Sequence, residues 1–207
     1  MNTVDERPDL SGFLMGHAAM RREFGLLADV AQGAPDGSRA RLAEDQLALV
    51  LAFVHAHHTG EDHDVWPLLR ERAPGAVREL DALEAEHEVL DPLMSAAGDT
   101  SRPLAARAAD LRALHQRLGD HLDHEERVVL PLLHQHVGAA EWRALERRAT
   151  RGLDVRRFPT VVGWLTSAAD EDQLRAAARG GPVVLRLLLR LWWRPAYRRR
   201  ARALYGR

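Results

Sequence analysis

Two segments of the chain carry the same pair of chemically active side chains. His57 and Glu61 precede Trp66-Pro67-Leu68-Leu69, and His121 and Glu125 precede Leu130-Pro131-Leu132-Leu133. When the two Pro-Leu-Leu triplets are superposed, His57 falls on His121 and Glu61 on Glu125. Side chains four residues apart on a helix share a face, one turn above the other. Two such pairs facing each other across a helical bundle supply two nitrogens and two carboxylates, a donor set for a pair of metal ions.

Two further histidines extend this set. His17 lies between Leu14 and Met20, and His87 between Leu83 and Leu90, each on an otherwise apolar helical stripe. A buried carboxylate without a partner costs several kcal/mol, and a neutral imidazole also needs hydrogen bonds. Six such groups in one core, His17, His57, Glu61, His87, His121 and Glu125, are tolerable if two cations satisfy them. In that arrangement each cation takes two imidazoles and the two carboxylates bridge. Any one member has an ordinary reading: a lone core histidine usually bonds a carbonyl, and a single His-x-x-x-Glu is usually a surface pair. The complete set is what points to metal. Histidine and carboxylate with open positions suit iron, with manganese as the substitute.

The register on the second segment is open, because His58 and Asp62 repeat the spacing of His57 and Glu61. The repeat favours His57. His58, Asp62, Asp91 and His124 are the further candidates, either as extra ligands or as outer hydrogen-bond partners of a ligand. Asp64, Asp123 and Glu126 are candidate outer partners that a solvated acidic face would also explain. His55, His63, His134 and His136 flank the stripes.

Four helices must position these groups. Apolar periodicity predicts them over 8–32, 38–72, 74–97 and 101–137, with Ser38 as an N-cap and Pro74 in a first turn. Short connections such as Gly33-Ala34-Pro35-Asp36-Gly37 imply an all-α, up-down-up-down four-helix bundle. Pro67 and Pro131 are expected to kink or break the second and fourth helices. The division expected is a bundle over 1–150 carrying the di-metal site, and an extension over 151–207 packing on it. After the fourth helix, 138–150 reads as a short helix; in the extension, 151–159 reads as a linker, and 160–169, 171–179, 183–194 and 195–205 as helices.

Composition narrows the classes. A hydrophobic content of 46% supports a real core, and the scarcity of β-branched and aromatic residues favours helices. Cysteine is absent, which excludes thiolate ligands, disulfides and a cysteine nucleophile. The segment Met1–Leu10 is polar and acidic, so no signal peptide is expected and a cytoplasmic location is the expectation. The formal net charge of -1 is unevenly spread, with acids concentrated in the bundle and arginines in the extension.

The pattern H…HxxxE…H…HxxxE with its two Pro-Leu-Leu tails resembles the hemerythrin-like HHE cation-binding domain over Asp9–Val137. The resemblance implies His17, His57, His87 and His121 as terminal iron ligands. It implies Glu61 and Glu125 as bridging carboxylates in a non-haem di-iron centre, oxo- or hydroxo-bridged, that handles dioxygen, peroxide or nitric oxide. Oxygen-carrying hemerythrins have a fifth histidine one turn after the third-helix one, where this chain has Asp91 followed by Pro92. They also space the fourth-helix carboxylate five residues after its histidine, against four here. The pattern is closer to bacterial repair-of-iron-centres proteins with four His and two Glu. It is also similar to actinobacterial hemerythrin-like proteins, some with catalase-like activity and some with similar tails.

The function expected is reaction with dioxygen, hydrogen peroxide or nitric oxide in oxidative or nitrosative stress, with catalase-like peroxide turnover favoured. The alternatives are a sensor of oxygen, nitric oxide or iron signalling through the extension, and a di-iron oxygenase acting on an organic substrate. In the extension, Arg186, Arg190 and Arg194 recur every four residues beside a Leu/Trp face. That face is expected to cap the bundle or cover the metal site. An oligomer interface and contact with a membrane surface are the alternatives, and the chain is expected to be a monomer or homodimer. No nucleic-acid reading motif accompanies the basic patch, so no such partner is expected.

Overall fold

The computed structural model describes residues 6–149, 156–169 and 183–206. The described residues form an all-α structure with no strand. Four helices make the bundle: α1 (Ser11–Gln32), α2 (Gly37–Gly60) with its continuation α3 (Trp66–Arg72), α4 (Val77–Gly98) and α5 (Ala108–His136). α1 and α4 each pack against α5, and α2 packs against both α1 and α4. Each helix forms because its apolar residues recur with helical period. On α1, Met20, Phe24, Leu27 and Ala31 are fully buried; on α5, Leu111, Leu114, Leu118, Leu122, Val129 and Leu133 are at most 1% exposed. Burying one such side chain stabilises the fold by roughly 1.5–3 kcal/mol.

The α1–α2 connection contains backbone that favours glycine, with φ of 52° at Gly37 and 46° at Ala34. Asp36, not Ser38, occupies the N-cap position of α2, and no side chain caps it. Ser38 falls inside the first turn. A short 3-10 turn, Pro74–Ala76, leads into α4, and another, Leu104–Arg107, leads into α5.

The two internal prolines act differently. Before Pro67 the second bundle helix passes through a π turn, Glu61–Val65, in which the Trp66 N–H reaches back to the Glu61 carbonyl. The turn holds one residue more than an α-helical turn and redirects the helix beyond it. Pro131 sits within α5, which runs unbroken to His136. The expected interruption is therefore present in one repeat only.

Two apolar clusters fill the bundle. One contains Phe24, Leu27, Val50, Leu90 and Leu114; the other contains Trp66, Leu69, Leu80, Leu83, Val129 and Leu133. On every bundle helix inward-facing polar residues lie between these clusters: His17, His57 with His58 and Glu61, His87, and His121 with Glu125. The polar groups thus occupy a layer with hydrophobic core above and below.

Beyond the bundle lie α6 (Ala139–Ala149), α7 (Phe158–Ala168), α8 (Val183–Leu188), a π turn (Leu189–Trp193) and α9 (Arg194–Tyr205). α6 packs on α2, while α7 and α9 pack on α1 and on each other. Pro159, expected in a linker, lies in the first turn of α7, where its missing N–H is harmless. The helix expected over 171–179 lies outside the described residues. α9 is tied down at a buried acid: Glu23 Oε1 accepts hydrogen bonds from Gln46 Nε2 at 2.7 Å, Tyr197 Oη at 3.2 Å and Tyr205 Oη. The Leu/Trp face of 183–193 does not cover the bundle in the way expected. Leu187, Leu191 and Trp192 are about half exposed or more, whereas Trp193 turns partly inward, its ring 5.7 Å from that of Phe158. No helix among the described residues is long and apolar enough to cross a membrane.

Candidate metal centre

The polar layer gathers seven side chains into two groups. His17, His57, Glu61 and Glu125 have ligand atoms within 4.8 Å of one another, and so do His58, His87 and His121. α1 contributes His17, α2 contributes His57 and His58, the π turn contributes Glu61, α4 contributes His87, and α5 contributes His121 and Glu125. All are buried except His57, whose side chain keeps 15% of its exposure.

The carboxylates span the two groups. Glu61 places Oε1 3.1 Å from His57 Nε2 and Oε2 3.7 Å from His87 Nε2. Glu125 Oε2 lies 3.5 Å from His17 Nε2 and 3.6 Å from His121 Nε2. Each acid therefore touches a nitrogen from either side, the placement a bridging carboxylate requires.

Three imidazoles are anchored from behind. His17 Nδ1 lies 2.9 Å from Glu126 Oε1, His87 Nδ1 2.8 Å from Asp62 Oδ1, and His121 Nδ1 2.9 Å from Glu86 Oε2. A carboxylate accepts, so each Nδ1–H donates outward and leaves Nε2 as a bare lone pair directed inward. Yet the Nε2 atoms of His87 and His121 face each other at 3.2 Å, as do those of His17 and His57. Nothing donates between His87 and His121, two acceptors with both outer protons already committed. The four oxygens of Glu61 and Glu125 and both ring nitrogens of His58 likewise have no hydrogen-bond partner. Buried acceptors converging without a donor fit a cation, and the outward carboxylate–imidazole pairs are what orients metal-ligating histidines.

Electrostatics agree. Burial first, then the neighbouring imidazoles, hold His57 and His58 well below the ordinary 6.5, so both are neutral and free to donate a lone pair at neutral pH. Burial also lowers His121, against the opposing pull of Glu125 and Glu86. Burial and then the charge of Glu125 push Glu61 well above its ordinary 4.5. Two cations would reverse that balance and let Glu61 ionise.

The family comparison agrees with this geometry. The model of the hemerythrin HHE cation-binding domain matches residues 11–133. The chain belongs to the hemerythrin HHE family. Comparison with curated proteins and with solved structures gave no significant match. The hemerythrin domain spans the four bundle helices from the start of α1 to Leu133 on α5 and contains all seven converging residues.

Against this hemerythrin frame the six residues read from the sequence come together, and His58 joins them. His57 and His58 were alternatives in the register; the structure brings in both, one to each group. The imidazoles thus divide three and two rather than two and two. Asp91 does not approach: the buried stripe of α4 continues from His87 through Leu90 to Met94, which leaves Asp91 exposed. His124 stays outside the groups and shares Glu86 with His121, at 2.8 Å from Nδ1. Asp62 and Glu126 are indeed outer partners, whereas Asp123 and Asp64 pair with Arg21 and Arg148. Glu86 was missed. Its signal was its place one residue before His87 on α4, a helix that packs against α5.

Proposed function

We propose that this core holds two iron ions and that the protein reacts with dioxygen, hydrogen peroxide or nitric oxide, peroxide turnover in a cytoplasmic stress response being its principal task. One observation carries the reading: the facing Nε2 lone pairs of His87 and His121, 3.2 Å apart, beside two buried carboxylates with no hydrogen-bond partner. In this reading His58, His87 and His121 would hold one ion and His17 and His57 the other, with the carboxylates of Glu61 and Glu125 available to either group. Manganese is the substitute the same donors would accept.

Bound iron supplies one-electron redox chemistry and Lewis acidity. The chain supplies the rest. Glu126, Asp62 and Glu86 keep the protons of His17, His87 and His121 on Nδ1, so the inward nitrogens stay available. Arg21 lies 2.7 Å from Glu126 and 2.6 Å from Asp123, which holds the Glu126 carboxylate in place behind His17. The apolar clusters on either side keep bulk water from the layer and leave an uneven donor count on which a small ligand can compete for a position.

Metal analysis with optical spectra tests the proposal. Purified protein is expected to hold about two irons per chain and to change its near-ultraviolet absorption on exposure to peroxide, dioxygen or nitric oxide. Stoichiometric zinc with no iron-dependent response would remove the redox reading.

A further inference from the structure

A second feature adjoins the polar layer. Between the bundle and the extension lies a cavity of about 310 Å³, walled by α1, α2 and the π turn on one side and by α6 and α7 on the other. Its walls are mainly apolar and rich in rings: Phe13 and Phe53 from the bundle, Trp142 and Phe158 from the extension. Phe13 also stands against the metal-type residues, its ring centroid 4.1 Å from that of His17, 5.7 Å from that of His57 and 5.9 Å from that of Trp142.

Of the seven converging side chains, His57 and Glu61 line this cavity. His57 is also the one that retains 15% side-chain exposure. The layer therefore meets accessible space where the extension covers the bundle. A dry apolar cavity of about 150 Å³ suffices to hold benzene, and pockets for small organic ligands begin near 300 Å³. The volume here is far larger than a diatomic gas or peroxide needs.

The charged groups on the wall select among ligands. Among the described residues, the lining contains Asp64 and Glu146 besides His57 and Glu61, and no arginine. Burial pushes the Glu146 carboxyl up from its ordinary value, so that wall resists further negative charge. A carboxylate or sulfonate entering here meets side chains of its own sign on the wall, while Arg148, the partner of Asp64, is not part of the described lining. We propose that this cavity binds a neutral, largely apolar organic molecule of about ten carbon atoms, with its one polar end against His57 and Glu61. The chemistry available to that polar end rests on the metal-binding reading above; the cavity itself does not. The extension thereby acquires a role, as the second wall of a ligand site.

Calorimetric titration of the full chain, once chelator-treated and once iron-reconstituted, tests this. The probes are 2-naphthol, neutral and two-ringed, and naphthalene-2-sulfonate, its anionic counterpart. Saturable binding of 2-naphthol to both forms is expected, with the sulfonate weaker by about tenfold or more. Two variants fill the cavity from opposite walls, Ala56→Phe from the bundle and Val162→Trp from the extension. Each is expected to weaken 2-naphthol by about tenfold or more while retaining the helical circular dichroism of the parent. Absence of saturable 2-naphthol binding overturns the proposal, as do equal affinity for the sulfonate and unchanged affinity in the folded variants. Chelator-treated protein that binds 2-naphthol but cannot be reloaded with iron removes the metal reading and supports the cavity. Iron-loaded protein that binds no 2-naphthol does the reverse.

Discussion

The His58 ring is stacked on that of His87, centroids 4.1 Å apart and planes 11° from parallel, while its chain neighbour His57 turns to His17. Two consecutive residues of one helix thus serve two different groups of donors, and removing either should affect a different ion. His58→Ala and His57→Ala are each expected to lower iron from about two to about one per chain by elemental analysis. His55→Ala, on the exposed face of the same helix, should leave the metal content unchanged. Full iron content in His58→Ala would remove His58 from the centre.

The outward partners of the imidazoles set the strength of binding more than its existence. Asp62→Asn, Glu86→Gln and Glu126→Gln each replace a carboxylate that accepts from an Nδ1–H. Losses of this kind weaken metal binding by about 10–100-fold. Competition against a chromophoric chelator should show that range with circular dichroism unchanged. Glu86→Gln should be the most severe, because Glu86 also holds His124.

Stability should tilt with pH through Glu23. Burial is the main cause that raises its carboxyl above the ordinary 4.5, and Tyr205, Arg22, Tyr197 and Gln46 oppose it. Above pH 4.5 the folded chain retains a proton that the unfolded chain has released, so the folded state binds more protons in that window. Stability therefore falls as pH rises from 4.5 through the raised value, by at most about 1.4 kcal/mol per pH unit, and levels off beyond it. Urea unfolding of iron-free protein across this window should show the tilt. Subtracting the same series for Glu23→Gln isolates it from other titrating groups. An identical pH dependence in the two proteins would refute the assignment.

At Gly163, α7 comes close to α9 and to the π turn that precedes it. A Cβ built there would lie 2.8 Å from the Tyr197 Cβ and 3.0 Å from the Trp193 carbonyl oxygen, neither of them the end of a flexible side chain. Gly163→Ala must push the two helices apart and is expected to cost about 1–3 kcal/mol by chemical denaturation. Gly119→Ala, whose added Cβ meets nothing within 4 Å, serves as the control and should not destabilise.

Much of this was legible in the chain. Helical periodicity and short glycine-rich connections prescribe the bundle, and polar residues on apolar stripes prescribe the layer. The open choice between His57 and His58 has a specific origin. The internal repeat aligns His58 with Leu122, so arguing from the repeat favoured its neighbour. Both residues face inward because a buried helix in a bundle presents an arc wide enough for two consecutive positions, which a one-stripe reading overlooks. Asp91 and Glu86 show the same limit in reverse. The family resemblance suggested Asp91, while the packing of α4 on α5 selected Glu86. The cavity was out of reach of the sequence, since its two walls come from segments far apart in the chain whose docking no local pattern encodes.

The π turn at Glu61–Val65 has a consequence for the ancestry of the two halves. Trp66 and Leu130 occupy matching places in the repeat, yet Trp66 is fully sequestered and Leu130 only partly, because one half gained a shift in phase that the other lacks. The halves have ceased to be interchangeable parts. Transplanting the second into the position of the first would conserve length and the aligned histidine and glutamate, and would still exchange His58 for leucine and the indole beside His87 for an alkyl group.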